Sequence, residues 1–104
     1  SVIMAVILFS FPAHAVDKIY FADNGNNKIL RCNLDGSSLE ELVTSDIEVV
    51  GSIAIDPTGG KIYWTDWDSE KAHIKRANLD GSGVELLIDG LSGPWGIDLD
   101  VAGG

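Results

Sequence analysis

The residues that could do chemistry are mostly carboxylates. Asp56, Asp66, Asp80, Asp98 and Asp100 could in principle ligate calcium. That ion wants six to eight oxygens converging at about 2.5 Å. Here the acids fall about one per turn, with no Asp-x-Asp-x-Asp loop. Asp98 and Asp100 share one strand face, but two carboxylates make a weak site. The reading is therefore turn and strand-end capping, with no cofactor; calcium on a shared axis is possible but unsupported. Ser92, His73 and Asp98 could be written as a hydrolytic triad, yet no Gly-x-Ser-x-Gly elbow is present. There is no His pair or Cys cluster for zinc. His14 lies in the apolar N-terminal stretch, and His73, beside Lys71 and Lys75, is read as facing solvent. Gly81-Ser82-Gly83 reads as a hairpin turn and not as a phosphate loop.

The bulk composition narrows the classes further. The 104 residues carry 16 acidic and 7 basic side chains, a net charge of −9. Nucleic acid needs a basic patch, so that partner is excluded, and anionic membrane surfaces are disfavoured. Asp outnumbers Glu, 11 to 5, alongside 12 Gly. Asp and Gly build turns and Glu builds helices, so the skew predicts many turns. Cys32 is the single cysteine, which rules out an internal disulfide.

The elements that must position these residues recur. Lys18-Ile19-Tyr20-Phe21-Ala22-Asp23 returns as Lys61-Ile62-Tyr63-Trp64-Thr65-Asp66. Ile29 to Ser37 returns as Ile74 to Ser82. Ile53-Ala54-Ile55-Asp56 returns as Ile97-Asp98-Leu99-Asp100. The offset moves from 43 to 45 to 44, so one small insertion near Trp67 to Lys71 explains the drift. Such a period marks solenoids, propellers or arrays. Each block is β-rich and alternating, and Asp35-Gly36, Asp80-Gly81 and Asp56-Pro57-Thr58-Gly59-Gly60 separate them as turns. No segment shows capped helical periodicity. Four short antiparallel strands in about 43 residues are the footprint of a propeller blade. The fold class is all-β, a partial β-propeller of about two four-stranded blades.

Residues 1–15 are a separate expectation. Val2 to Phe11 is almost unbroken apolar sequence, followed by Ala13-x-Ala15, the small-residue pattern of a signal-peptide cleavage site. The run is too short to span a membrane as a helix. A truncated signal peptide is predicted, with Val16 the first mature residue; the competing reading is a buried strand or short core helix. Residues 16–104 then form the propeller part, repeat 1 at about 18–60 and repeat 2 at about 61–104.

At Tyr63-Trp64-Thr65-Asp66 the second unit resembles the class B repeat of the low-density lipoprotein receptor family. Pro94-x-Gly96-Ile97-x-Leu99-Asp100, Arg76-x-Asn78-Leu79-Asp80-Gly81-Ser82 and Leu86-Leu87-Ile88 extend the likeness over 17–104. The first unit departs from it, with Phe21-Ala22 for Trp-Thr and Val50-Gly51-Ser52 for Pro-x-Gly. The resemblance implies a six-bladed propeller. It predicts strands 2–4 of one blade (18–23, 28–33, 39–44), a full blade (51–56, 61–66, 73–79, 84–89) and an inner strand at 95–100. Two blades cannot close a ring, so a stretch of a longer chain is expected; the alternative is a short chain whose copies assemble. It also implies that Tyr63, Trp64, Thr65 and Asp66, with Tyr20 and Asp23 in the first unit, hold blades together. Cys32 aligns with Ala77 and is expected as a buried free thiol.

Trp67 and Trp95 have no aromatic counterpart in the first unit, where Asn24 and Gly51 stand. The loops 67–72 and 89–95 are expected on one propeller face. With Asp68 and Glu70, the two tryptophans form a candidate ligand-binding face for a basic or mixed protein surface, because aromatics carry binding hot spots. The competing reading is blade packing. The expected function is a secreted, extracellular or periplasmic propeller module that binds a protein or cell-surface ligand without catalysis. The alternative is a calcium-dependent, lactonase-like hydrolase on the same scaffold.

Overall fold

The computed structural model describes residues 3–9 by their backbone course, then residues 18–68, 71–92, 97 and 99. The strands are β1 (Ile3–Phe9), β2 (Lys18–Asp23), β3 (Lys28–Asn33), β4 (Glu40–Val43), β5 (Val50–Asp56), β6 (Lys61–Trp67), β7 (Ala72–Asn78) and β8 (Glu85–Leu91). They form two four-stranded antiparallel sheets, β1-β2-β3-β4 and β5-β6-β7-β8. Each is a meander, which is the blade pattern the period required. The inner strand expected at 95–100 falls almost wholly outside the described residues.

The hairpins follow from turn chemistry. Ser37 N donates to Asp35 Oδ1 at 2.9 Å, and Ser82 N repeats this with Asp80 Oδ1 at 3.0 Å. Within each sheet, Lys18 Nζ donates to Asn33 Oδ1 at 2.7 Å and Lys61 Nζ to Asn78 Oδ1 at 2.6 Å. Polar side chains that recur at these positions thus serve the unit itself.

One strand was not expected. The repeat predicts three strands for the first sheet, because the apolar N-terminal run fits the pattern of a leader. In the structure Ile3–Phe9 pairs antiparallel with β2, from Ile3 opposite Asp23 to Phe9 opposite Lys18. A continuous apolar run meets the needs of a buried inner strand as well as those of a leader.

The sheets stack through one core. Tyr20, Ala22, Ile29 and Val43 of the first sheet cluster with Val50, Ile53, Ile62, Trp64 and Ala77 of the second. Alternation along each strand presents these side chains to one face. Cys32 is buried and free. Arg31 Nη1 crosses the interface to donate to the Leu79 carbonyl at 2.9 Å. The second sheet exposes the surface that the first buries. Val43 lies opposite Ile29 as Ile88 lies opposite Ile74. Yet Val43 is 4% exposed and Ile88 46%. The packing surface is repeated, and among the described residues nothing covers its second copy.

Gly81 shows how close the sheets come. Its φ is +88°, a region that L side chains rarely adopt, and an added Cβ would collide with the Leu42 backbone carbonyl. Gly36, its counterpart, has φ +87° but open space around it. Gly81→Ala is expected to destabilise the protein by more than Gly36→Ala, which bears only the backbone cost of about 1 kcal/mol. Denaturant titration of both variants in the full-length protein checks this; equal losses would show that the sheets do not meet at Leu42.

Candidate functional site: the loop end of the second sheet

The connections 24–27 and 44–49 share one end of the two sheets with Asp68 and Lys71. The side chains of β6 organise this end. Asp66 is 1% exposed. Its Oδ1 accepts from the backbone N–H groups of Glu48 at 2.9 Å and Val49 at 3.2 Å. Its Oδ2 accepts from Lys75 Nζ at 2.8 Å, and the same ammonium donates to the Asp46 carbonyl at 2.7 Å. One carboxylate thereby holds the linker between the sheets and neutralises a largely buried cation. Thr65 is fully buried, and its Oγ1 accepts from Ser52 N at 3.0 Å. Pairing between β5 and β6 shifts register between Val50 and Ile53. Such an irregularity leaves a backbone N–H without its ladder partner, and the threonine hydroxyl supplies an acceptor there.

Trp64 is fully buried within the core between the sheets. Its indole N–H meets no acceptor among the described residues. Tyr63 is half-buried, and its hydroxyl lies 3.5 Å from Arg76 Nη1, as Tyr20 Oη lies 3.4 Å from Arg31 Nη1. Asp23 differs from its counterpart Asp66. Its two oxygens accept from the backbone and side-chain amides of Asn26, at 3.3 and 3.0 Å, so it serves its own turn.

The structure brings together part of the proposed ligand face. Trp67 ends β6, half-buried, with its backbone N donating to the Val49 carbonyl at 2.8 Å. Asp68 is exposed beside it, and its Oδ1 accepts from Lys71 N at 2.8 Å. Glu70 and Trp95 lie outside the described residues, as do Asp98 and Asp100.

His73 is not the solvent-facing side chain that its lysine neighbours suggest. Its side chain keeps 18% exposure, held between two acids. Nε2 lies 3.1 Å from Asp68 Oδ2, and Nδ1 lies 2.6 Å from Asp89 Oδ1. Strand alternation places His73 but cannot show that β8 carries Asp89 alongside it. The repeat held a clue, because Lys28 occupies the equivalent register opposite Asp23. The hydrogen bond to Asp68 raises the imidazole pKa above its ordinary value; desolvation opposes this, and Asp89 adds to the rise. A raised folded pKa stabilises the protein below the unfolded value, about 6.5, and that stabilisation fades as pH rises through the folded value. His73→Gln is therefore expected to flatten the fall in stability between mildly acidic and mildly alkaline pH. Denaturation midpoints across that range check the sign; a steeper fall in the variant would contradict it.

The two acids contact opposite nitrogens of the ring, so they diverge where a metal would need them to converge. Among the described residues no group of three or more His, Cys, Asp or Glu side chains is arranged to hold a metal ion.

The class is thus defined by fold and motif: two stacked four-stranded meanders, tied by a Tyr-Trp-Thr-Asp strand, are consecutive blades of a β-propeller. The family model described as Low-density lipoprotein receptor repeat class B matches residues 60–100. Residues 60–100 thus carry a class B (YWTD) repeat. The chain is 42% identical over 84 residues to the Vitellogenin receptor Yl of Drosophila melanogaster, covering 80% of this chain and 4% of that one. It is 36% identical over 87 residues to the Low-density lipoprotein receptor-related protein 5-like protein of Homo sapiens, covering 83% of this chain and 34% of that one. A chain in the crystal structure of a nidogen/laminin complex superposes with TM-score 0.77 at 29% identity, over 94% of this chain and 35% of that one. The sequence therefore spans about a third or less of each relative.

Proposed function

We propose that this chain is part of an extracellular or cell-surface propeller that binds a protein ligand and performs no chemistry. The observation that carries this reading is a division of labour among residues. Most residues that recur in both units serve the turns, the sheets or the core between them, whereas Trp67, Asp68 and His73, which replace Asn24, Gly25 and Lys28 of the first unit, lie with Asp89 at one loop end. Receptor relatives and a structural neighbour from a protein–protein complex support the same class of function. We place Glu70 and Trp95 on this face with Trp67 and Asp68, and we read residues 1–15 as a leader cleaved before Val16.

The test is direct. Full-length protein expressed in secretory cells should reach the medium or cell surface with Val16 as its first residue. Arrayed against extracellular proteins, it should capture a ligand whose affinity falls on the order of ten-fold or more in Trp67→Ala, with melting unchanged. Binding that survives this change, or calcium-dependent turnover of a lactone panel, would overturn the reading.

A further inference from the structure

Asn24 and Gly25 form the Asn-Gly step of the β2–β3 turn, with Gly25 exposed. Asn24 Nδ2 donates across the interface to the Val50 carbonyl at 3.1 Å. Val50 is fully buried at the start of β5. One side-chain amide thus ties the first sheet's turn to the second sheet's entry, at the end where Asp66 grips residues 48 and 49. Asn24 is also the one asparagine in the sequence that is followed by glycine. Glycine has no Cβ to shield its backbone nitrogen, so an Asn-Gly step cyclises more readily than Asn26-Asn27 or Asn27-Lys28.

We propose that Asn24 is a spontaneous modification site gated by separation of the two sheets. The backbone nitrogen of Gly25 loses its proton to solvent base and attacks Asn24 Cγ. The new N–Cγ bond closes a five-membered imide, the Cγ–Nδ2 bond breaks, and ammonia leaves with the proton. Water then opens the imide at either carbonyl, leaving aspartate or isoaspartate; no electrons are transferred. While Nδ2 donates to Val50 O, the carboxamide is pinned to the neighbouring sheet and cannot swing over Gly25 N. The reaction therefore proceeds through the conformation in which the tie has opened. The product cannot re-form the tie. A carboxylate has no N–H to give and sets an anionic acceptor against the Val50 carbonyl. Isoaspartate also adds a methylene to the turn that closes the Asp23–Lys28 pair.

Full-length protein and a free peptide of residues 19–28 are aged in the same alkaline buffer, and conversion is followed by tandem mass spectrometry. Asn24 should convert in both, slower in the protein by on the order of ten-fold or more. Its rate should climb toward that of the peptide in urea concentrations below global unfolding. Gly25→Ala should slow conversion in both, leaving the tie intact. The aged protein, purified from unmodified chains, should show faster amide exchange at Val50 and neighbouring residues. Equal rates in protein and peptide would overturn the gating, as would a protein rate that stays flat in urea. Unchanged amide exchange after conversion would overturn the claim that the tie is lost.

Discussion

Trp64→Ala is expected to destabilise the full-length protein by about 3–5 kcal/mol, as removal of a large interior aromatic does. Trp64 is fully buried and sits in the core shared by both sheets, opposite Ile53 on β5 and Lys75 on β7. It is the largest of the fully buried side chains among the described residues. Its truncation opens a cavity in the layer that joins the sheets, and a domain stable by about 5–15 kcal/mol cannot absorb that loss lightly. The repeat provides its own control. Phe21 holds the equivalent position in the first sheet and is only partly buried, so Phe21→Ala should cost clearly less. Trp64→Phe should be milder than Trp64→Ala, because it keeps a ring in place and deletes an indole N–H that has no acceptor among the described residues. Chemical denaturation measures all three. A Trp64→Ala midpoint close to wild type would mean that Trp64 is not an interior residue of the assembled protein.

Asp66→Ala is expected to cost about 2–4 kcal/mol, through polar groups instead of packing. The change strands the amides of Glu48 and Val49 and removes the counter-charge of Lys75, whose side chain is 17% exposed. The figure sits below that for a fully buried pair because Lys75 retains the Asp46 carbonyl and some access to water. Asp66→Asn keeps an acceptor for the two amides but turns an amide NH2 toward Lys75 in place of the accepting Oδ2, so it should cost less than Asp66→Ala without being neutral. Pairing Asp66→Ala with Lys75→Met should cost less than the sum of the single changes, because the partners are coupled. Amide exchange at residues 48 and 49 provides a local readout and should accelerate in Asp66→Ala. If those amides remain protected, another group holds the linker.

Much of the fold was legible beforehand. Strands expected at 18–23 and 28–33 are found there, and the expected 61–66 extends by one residue to Trp67. These segments alternate; Asn24-Gly25 separates the first two, Asp35-Gly36 follows the second and Asp56-Pro57-Thr58-Gly59-Gly60 precedes the third, so local chemistry specifies those ends. β7 runs 72–78 where 73–79 was expected. Asn78 closes the following turn, with Asn78 N donating to Ser82 O and Gly81 N to Asn78 O, so Leu79 is already in the loop. β8 runs further than expected, to Leu91, because Ala72 at the start of β7 pairs with it. The Ile3–Phe9 strand was less legible, since apolarity without alternation does not distinguish strand from leader.

By itself the sequence determined the repeat, its strands and turns, and the class of fold. These are periodic properties, set by backbone geometry over a few residues and visible without knowing the partner of any side chain. Tertiary structure decided how equivalent residues are used. Asp23 and Asp66 occupy the same place in their units, yet one closes its own turn and the other anchors residues 18 and 17 positions away. Gly36 and Gly81 share a backbone conformation, yet only Gly81 meets another sheet. His73 became a bridge between two acids because β8 carried Asp89 alongside it. Such differences arise from the stacking of one sheet on another, and the repeat is blind to them because it describes each unit alone.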